Sequence, residues 1–337
     1  MKAVVCVEPG KIVIEDREDP EHRDDWVKLR VRRVGICGTD FHIYKGQHPF
    51  LEYPRVMGHE LSGEVLSVPV GSSLKIGEPV IVNPYLPCGE CITCRKGKFN
   101  CCVNIEVLGV HADGGMCEYI YVPEAALYSA EGLTLSQAAM VEFLSIGAHG
   151  VRRGEVKPGD RVLVVGAGPI GLGAAIFLSL IDDVKVAVLD LSAERVATAM
   201  EIIPMAQGIV GGDGALAAMQ TFTDGEMFDV VFDATGNKYA MESSINYVAH
   251  GGSCVFISVI KEDISFSDPS FHSRELRLIG SRNATREDFH YVISCIKEGK
   301  VPTDQLNTHE ASLEELPDKI PQWLADNNGL IKAIACL

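Results

Sequence analysis

A glycine triplet spaced G-x-G-x-x-G constrains this chain most, because it stands where a strand ends and a helix begins. Arg161-Val162-Leu163-Val164-Val165 is a continuous apolar run, Gly166-Ala167-Gly168-Pro169-Ile170-Gly171 follows at once, and an Ala/Leu-rich helical segment comes next. In that setting the first glycine permits the tight turn, the second lets backbone approach a pyrophosphate, and the third lets helix and strand pack closely. Gly166, Gly168, Pro169, Ile170 and Gly171 are therefore expected to cradle a dinucleotide. Asp190 ends the next strand, nineteen residues after Gly171. A carboxylate there accepts hydrogen bonds from ribose hydroxyls and repels a 2′-phosphate, which favours NAD over NADP. Its alternative is to cap the following helix, a place Ser192 can also fill. Arg195 is the nearby residue suited to a phosphate.

The text around this motif divides the chain. From 1 to 148 short apolar runs at 3–7, 11–14, 26–31, 63–68 and 79–82 are broken by Gly and Pro, which predicts an antiparallel, β-rich region. From 149 to 282 continuous apolar runs at 161–165, 184–189, 228–233, 254–257 and 276–280 alternate with helix-length segments. Strands buried on both faces and separated by helices require a parallel, doubly wound α/β sheet. Residues 283–337 return to mixed text, with a helix opening near 287 and a closing strand at 331–334. No Gly/Ser-rich or Pro-rich linker intervenes, so this tail is read as rejoining the first domain, with the α/β unit inserted between.

Thirty Lys and Arg against 46 Asp and Glu leave a formal charge of −16, which disfavours nucleic acid and anionic membrane surfaces as partners. No apolar run approaches the roughly 20 residues that span a bilayer. Eleven cysteines, five of them between 88 and 102, fit metal ligation in a reducing compartment better than a disulfide framework, and a cytoplasmic location is expected.

Cys88-x2-Cys91-x2-Cys94-x7-Cys102 places four thiols in fifteen residues. Four thiolates hold tetrahedral Zn²⁺ in a closed site without a position for substrate, so the expected role is structural. Cys101 competes with Cys102 for the fourth place, and an iron–sulfur cluster is the other metal that this spacing admits.

Cys37-Gly38-Thr39-Asp40-Phe41-His42 and Gly58-His59-Glu60 bring further ligand types on two turn-like segments. With the four-cysteine loop and the glycine triplet, these make the chain resemble the zinc-dependent medium-chain dehydrogenases over nearly its whole length. The resemblance implies an α/β protein in which a β-rich GroES-like catalytic domain carries an inserted doubly wound Rossmann domain. It implies two zinc ions per chain and NAD. The catalytic zinc would be held by Cys37, His59 and Glu142, the last directly or through water, with Glu60 a neighbouring carboxylate able to exchange onto the metal. Glu142 stands where the polyol branch, similar to sorbitol dehydrogenase, carries a Glu, although Phe143 follows it where the family usually has Pro. Thr39 is expected to take the hydroxyl proton and His42 to relay it. Arg282 and Asn283, after the last apolar run of the α/β region, suit a substrate carboxylate and hydroxyl, although Arg282 serves a cofactor phosphate equally well. With His111, Asp113 and the run 267–272, they look similar to the sugar-acid dehydrogenases, the L-galactonate 5-dehydrogenases in particular. The expectation is oxidation of a secondary alcohol in a sugar acid or polyol by a homodimer or homotetramer. A threonine-type or other polyol dehydrogenase, and a non-catalytic zinc- and NAD-binding module, are the alternatives.

Overall fold

The computed structural model describes residues 1–48, 51–326 and 329–337. The chain forms two compact units, one of Met1–Glu142 with Phe289–Leu337 and the other of Phe143–Asp288. These boundaries lie six residues from the expected 148/149 and 282/283. Each falls within the first turn of a helix, Val141–Gly154 in one case and Arg286–Lys297 in the other, where no break in composition marks it. Phe143 has the N–H that a proline would lack, continues the first of these helices and is fully buried.

The first unit is built on a seven-stranded sheet. Its path runs Leu127–Ser129, Pro79–Val82, Glu60–Ser67, Trp26–Ile36, Lys332–Cys336 and Asn307–Ser312, with Tyr119–Pro123 pairing beside Trp26–Ile36. Every pair but one is antiparallel, the exception being Asn307–Ser312 with Lys332–Cys336. In Trp26–Ile36 alternate residues Val27, Leu29, Val31 are buried among Val4, Leu61, Val65 and Val80, the period-two pattern of a sheet with one face on a core. Lys332–Cys336 supplies the strand expected near 331–334 and lies directly beside Trp26–Ile36, so residues from the far end of the sequence complete the sheet.

The second unit is a six-stranded parallel sheet ordered Gln207–Val210, Lys185–Asp190, Arg161–Val165, Phe228–Asp233, Val248–Phe256, Arg277–Gly280. In chain order this is 3-2-1-4-5-6, the doubly wound arrangement whose strand order reverses beside the first strand, where dinucleotides bind. Leu163, Val165, Ala187, Leu189, Phe228 and Val231 share its core. Among the described residues no helix is long and apolar enough to cross a membrane.

Candidate active site

The four-cysteine loop closes on itself. Cys91 Sγ lies 3.4 Å from Cys94 Sγ and 3.8 Å from Cys102 Sγ, and Cys102 Sγ lies 3.5 Å from Cys88 Sγ. Tetrahedral zinc–thiolate bonds of about 2.3 Å put sulfurs about 3.8 Å apart, close to these separations, so the four thiols fit that ion. Cys102 supplies the fourth thiol, while Cys101 is exposed outside the group. The Thr93 hydroxyl, with backbone amides, lowers the Cys91 thiol to about 5, whereas burial pushes Cys94 up to about 12.

The second cluster draws on distant segments. Cys37 ends the strand Trp26–Ile36 and caps the helix Gly38–Tyr44, where its N–H donates to Asp40 Oδ2 at 2.8 Å. His59 and Glu60 enter the neighbouring strand Glu60–Ser67. One ligand atom from each of Cys37, His59 and Glu60 lies within 4.8 Å of the others. A thiol, an imidazole and a carboxylate so gathered are a zinc donor set. His59 Nδ1 and Asp40 Oδ1 are both buried without hydrogen-bond partners, and Asp40 acts on His59 through its charge. A carboxylate beside a ligating histidine orients the ring and raises its basicity. Asp40 was given no role in the sequence reading, although a carboxylate three residues after a helix cap is a recognisable signal.

Two further groups complete this centre. Lys332, 1% exposed, donates from Nζ to Ile36 O at 3.1 Å and to Glu60 Oε1 at 2.6 Å, and lies in ionic contact with Oε2 at 2.5 Å. The strand order explains its reach. Gly35 pairs with Glu60 on one side and Ile334 on the other, and a Cβ at Gly35 would stand 2.1 Å from Glu60 Oε2. Only glycine leaves the passage through which the carboxylate and the ammonium meet. Burial alone would lower the Lys332 pKa, but Glu60 and the other acidic groups raise it, so the cation persists.

Glu142, 3% exposed, sits in the same electrostatic environment, with His59, Glu60 and Lys332 all acting on its charge, yet it is not a member of the three-residue ligand group. Its Oε1 accepts a hydrogen bond from the Tyr85 hydroxyl instead. Burial, opposed in part by His59, holds the Glu142 pKa up at about 7, and burial with the adjacent Glu142 raises Tyr85 well above the usual phenol range. Thr39 Oγ1 lies 3.9 Å from Cys37 Sγ. His42, three residues on along the same helix and hence on the same face, is exposed.

In the second unit the glycine triplet forms the expected turn. A Cβ at Gly171 would lie 1.8 Å from Gly166 O, whereas one at Gly168 would meet no atom within 4 Å, which leaves open space where a pyrophosphate approaches the cap of the helix Pro169–Ser179. Pro169 occupies the first helical turn and Ile170 follows it. Asp190 Oδ2 accepts from Ala167 N at 2.8 Å and Oδ1 from Ser192 N at 2.9 Å, so the carboxylate is pinned against the glycine turn. The helix Ala193–Ile202 is capped by Ser192, which accepts from Arg195 N at 3.3 Å, and Asp190 is not its cap. Arg282 is exposed just beyond the strand Arg277–Gly280, and Asn283 adopts a left-handed φ of 51°, a conformation asparagine tolerates at turns. Other residues grouped with them have structural duties. Asp113 bridges Arg17 and Arg55 at 3.1 and 3.3 Å, His111 Nδ1 accepts from Val107 N at 3.1 Å, and Ser267 caps the helix Asp268–Ser273.

Residues 23–132 match the alcohol dehydrogenase GroES-like domain and residues 169–298 the zinc-binding dehydrogenase domain. The chain belongs to the zinc-dependent medium-chain dehydrogenases. This family membership makes it an oxidoreductase and sets aside a non-catalytic module. Among curated medium-chain dehydrogenases it is 41% identical to L-galactonate-5-dehydrogenase of Escherichia coli K12, covering 99% of this chain and 98% of that one. It is 29% identical to sorbitol dehydrogenase of Bacillus subtilis, covering 99% and 96%. The solved alcohol dehydrogenase RspB of Escherichia coli CFT073, in complex with NADH, superposes with a TM-score of 0.93 at 31% identity, covering 100% of this chain and 99% of its own.

Proposed function

We propose that the protein oxidises a secondary alcohol of a sugar acid or polyol, with NAD as hydride acceptor and zinc as Lewis acid, in the manner of an L-galactonate 5-dehydrogenase. The observation that carries this reading is the mixed donor set of Cys37, His59 and Glu60, whose ligand atoms all lie within 4.8 Å of one another. Three protein ligands leave a coordination position that a four-thiol cage lacks. Zinc, when bound there, eases loss of the substrate hydroxyl proton, and NAD supplies the acceptor for the hydride. Cys37, His59 and Glu60 would hold the ion, with Glu142 acting on it through water. Thr39 takes the hydroxyl proton and His42 relays it outward. With NAD bound, the substrate C–H would give up its hydride and the C–O bond would become a carbonyl.

Gly166, Gly168, Pro169, Ile170 and Gly171 receive the pyrophosphate, and Asp190 receives the ribose hydroxyls, with Arg195 beside it. The carboxylate pinned at Ala167 N supports NAD over NADP, because a 2′-phosphate there would meet a fixed negative charge. The 41% likeness to L-galactonate-5-dehydrogenase supports a polyhydroxylated acid as substrate. Arg282 reads its carboxylate and Asn283 a hydroxyl. Cys88, Cys91, Cys94 and Cys102 hold a second, structural zinc. The enzyme works as a homodimer or homotetramer in the cytoplasm, a compartment that keeps its eleven unpaired cysteines reduced.

A panel of alcohols with NAD reduction followed at 340 nm tests the reading. Hexonates and polyols are expected to turn over far better than simple alkanols, and comparable rates would overturn it. Arg282→Ala is expected to raise KM for acids by about tenfold or more, and for neutral polyols by much less. Equal effects on both would remove Arg282 as the carboxylate reader.

A further inference from the structure

Two buried carboxylates, Glu60 in the ligand group and Glu142 near enough for His59 to act on its charge, are each held by a different donor. Glu60 is gripped by Lys332 yet keeps an oxygen in the ligand group, whereas Glu142 is turned to Tyr85 and stays out of it. Tyr85 is itself built in rather than draped there. It is buried, its N–H donates to Asn83 Oδ1 at 3.0 Å, and it pairs with Val107 in a two-stranded ribbon three residues before Cys88. The four-thiol cage therefore anchors the segment that delivers the phenol.

We propose that Tyr85 is a positioning residue whose hydroxyl restrains Glu142, so that the ion held by Cys37, His59 and Glu60 keeps one coordination position for substrate. A buried carboxylate does not stay unpaired, and once Tyr85 lets go the strongest partner nearby is the dication. Glu142 then becomes a fourth protein ligand, and a catalytic centre turns into a closed one of the structural type. Tyr85 acts through Glu142 and selects between two ligand sets that the same residues can provide.

This inference rests on zinc at the mixed centre, which is tested separately: Cys37→Ser is expected to carry one zinc per chain fewer than wild type, and an unchanged zinc content would sink that reading itself. The test of Tyr85 is the rate at which the purified holoenzyme releases this zinc to a chromogenic chelator. Tyr85→Phe, which removes one oxygen and keeps the ring, is expected to slow release by about tenfold or more. In the cobalt-substituted protein, added imidazole is expected to shift the visible absorption of wild type and not that of Tyr85→Phe. Adding Glu142→Gln to Tyr85→Phe is expected to restore both behaviours. A general loosening of structure would instead speed release, so release at the wild-type rate or faster in Tyr85→Phe overturns the proposal. Glu142→Gln alone decides the matter if Tyr85→Phe does not fold. Release within about twofold of wild type supports a restrained Glu142, and release tenfold faster makes Glu142 a resting ligand and overturns the proposal.

Discussion

Cys88, Cys91, Cys94 and Cys102 come from one stretch of fifteen residues and offer four identical donors, whereas Cys37, His59 and Glu60 come from the adjacent ends of two paired strands and offer three different ones. The first cluster is self-sufficient: its sulfurs already stand 3.4 to 3.8 Å apart along three edges, and no buried charge from elsewhere is required to complete it. The second depends on a fully buried Lys332, on Glu142 and on Tyr85, each brought from another part of the chain. The contrast teaches what each kind of site needs from the rest of the chain. A saturated cage contributes binding energy to folding, whereas an unsaturated centre must be kept open by neighbours that themselves need burial and pairing.

Removing one ligand from each cluster tests this contrast with the largest effects. Cys94→Ser is expected to lower the melting temperature by more than about 10 °C, because metal binding at such a cage is folding free energy. Cys37→Ser is expected to lower kcat by about a thousandfold with a much smaller thermal shift, as loss of a Lewis acid worth several kcal/mol dictates. Calorimetry and metal analysis on both variants decide the issue, and a Cys37→Ser protein as thermally labile as Cys94→Ser would erase the division of labour. Next in size is Lys332→Met. It strands the Glu60 carboxylate in the core and is expected to cost about 3–5 kcal/mol in denaturant unfolding. An unchanged midpoint would mean that Glu60 does not need its partner.

A smaller effect concerns proton linkage in the zinc-stripped protein. The Glu142 pKa is raised from 4.5 to about 7, so folding favours its protonated form. The stability this contributes is complete below about pH 4.5 and is lost as pH rises through about 7, a change of a few kcal/mol. Glu142→Gln cannot titrate and is expected to flatten the stability profile between those values. A wild-type profile that is already flat would show that this carboxylate stays ionised. Smallest is Thr93→Val at the cage. The Thr93 hydroxyl is the first cause of the low Cys91 pKa, so its loss raises that pKa, and acid release of the structural zinc is expected at a higher pH by less than about one unit. Identical release curves would show that the backbone amides suffice.

The same contrast governs what could be read from the sequence. The four-cysteine cage and the glycine turn with Asp190 are legible because their spacing is local and each glycine or donor has a geometric duty. The parallel sheet was legible from apolar runs, except for Gln207–Val210, whose short, partly polar text carries no strand signal. Asn307–Ser312 escaped for the same reason, being mostly polar. At the mixed centre, family likeness and not spacing singled out Cys37, His59, Glu60 and Glu142, of which the first three share a ligand group and Glu142 turns to Tyr85 instead. Tyr85 and Lys332 were missed altogether, since their contacts span 57 and 272 residues. A lysine in a short strand is by default a solvent-facing residue, and only the passage beside Gly35 turns this one inward.

The pairing of Glu60 with Lys332 also orders events during synthesis. Glu60 leaves the ribosome 272 residues before the ammonium that neutralises it. Until the strand Lys332–Cys336 lies beside Trp26–Ile36, the Glu60 carboxylate lacks the ammonium that pairs with it.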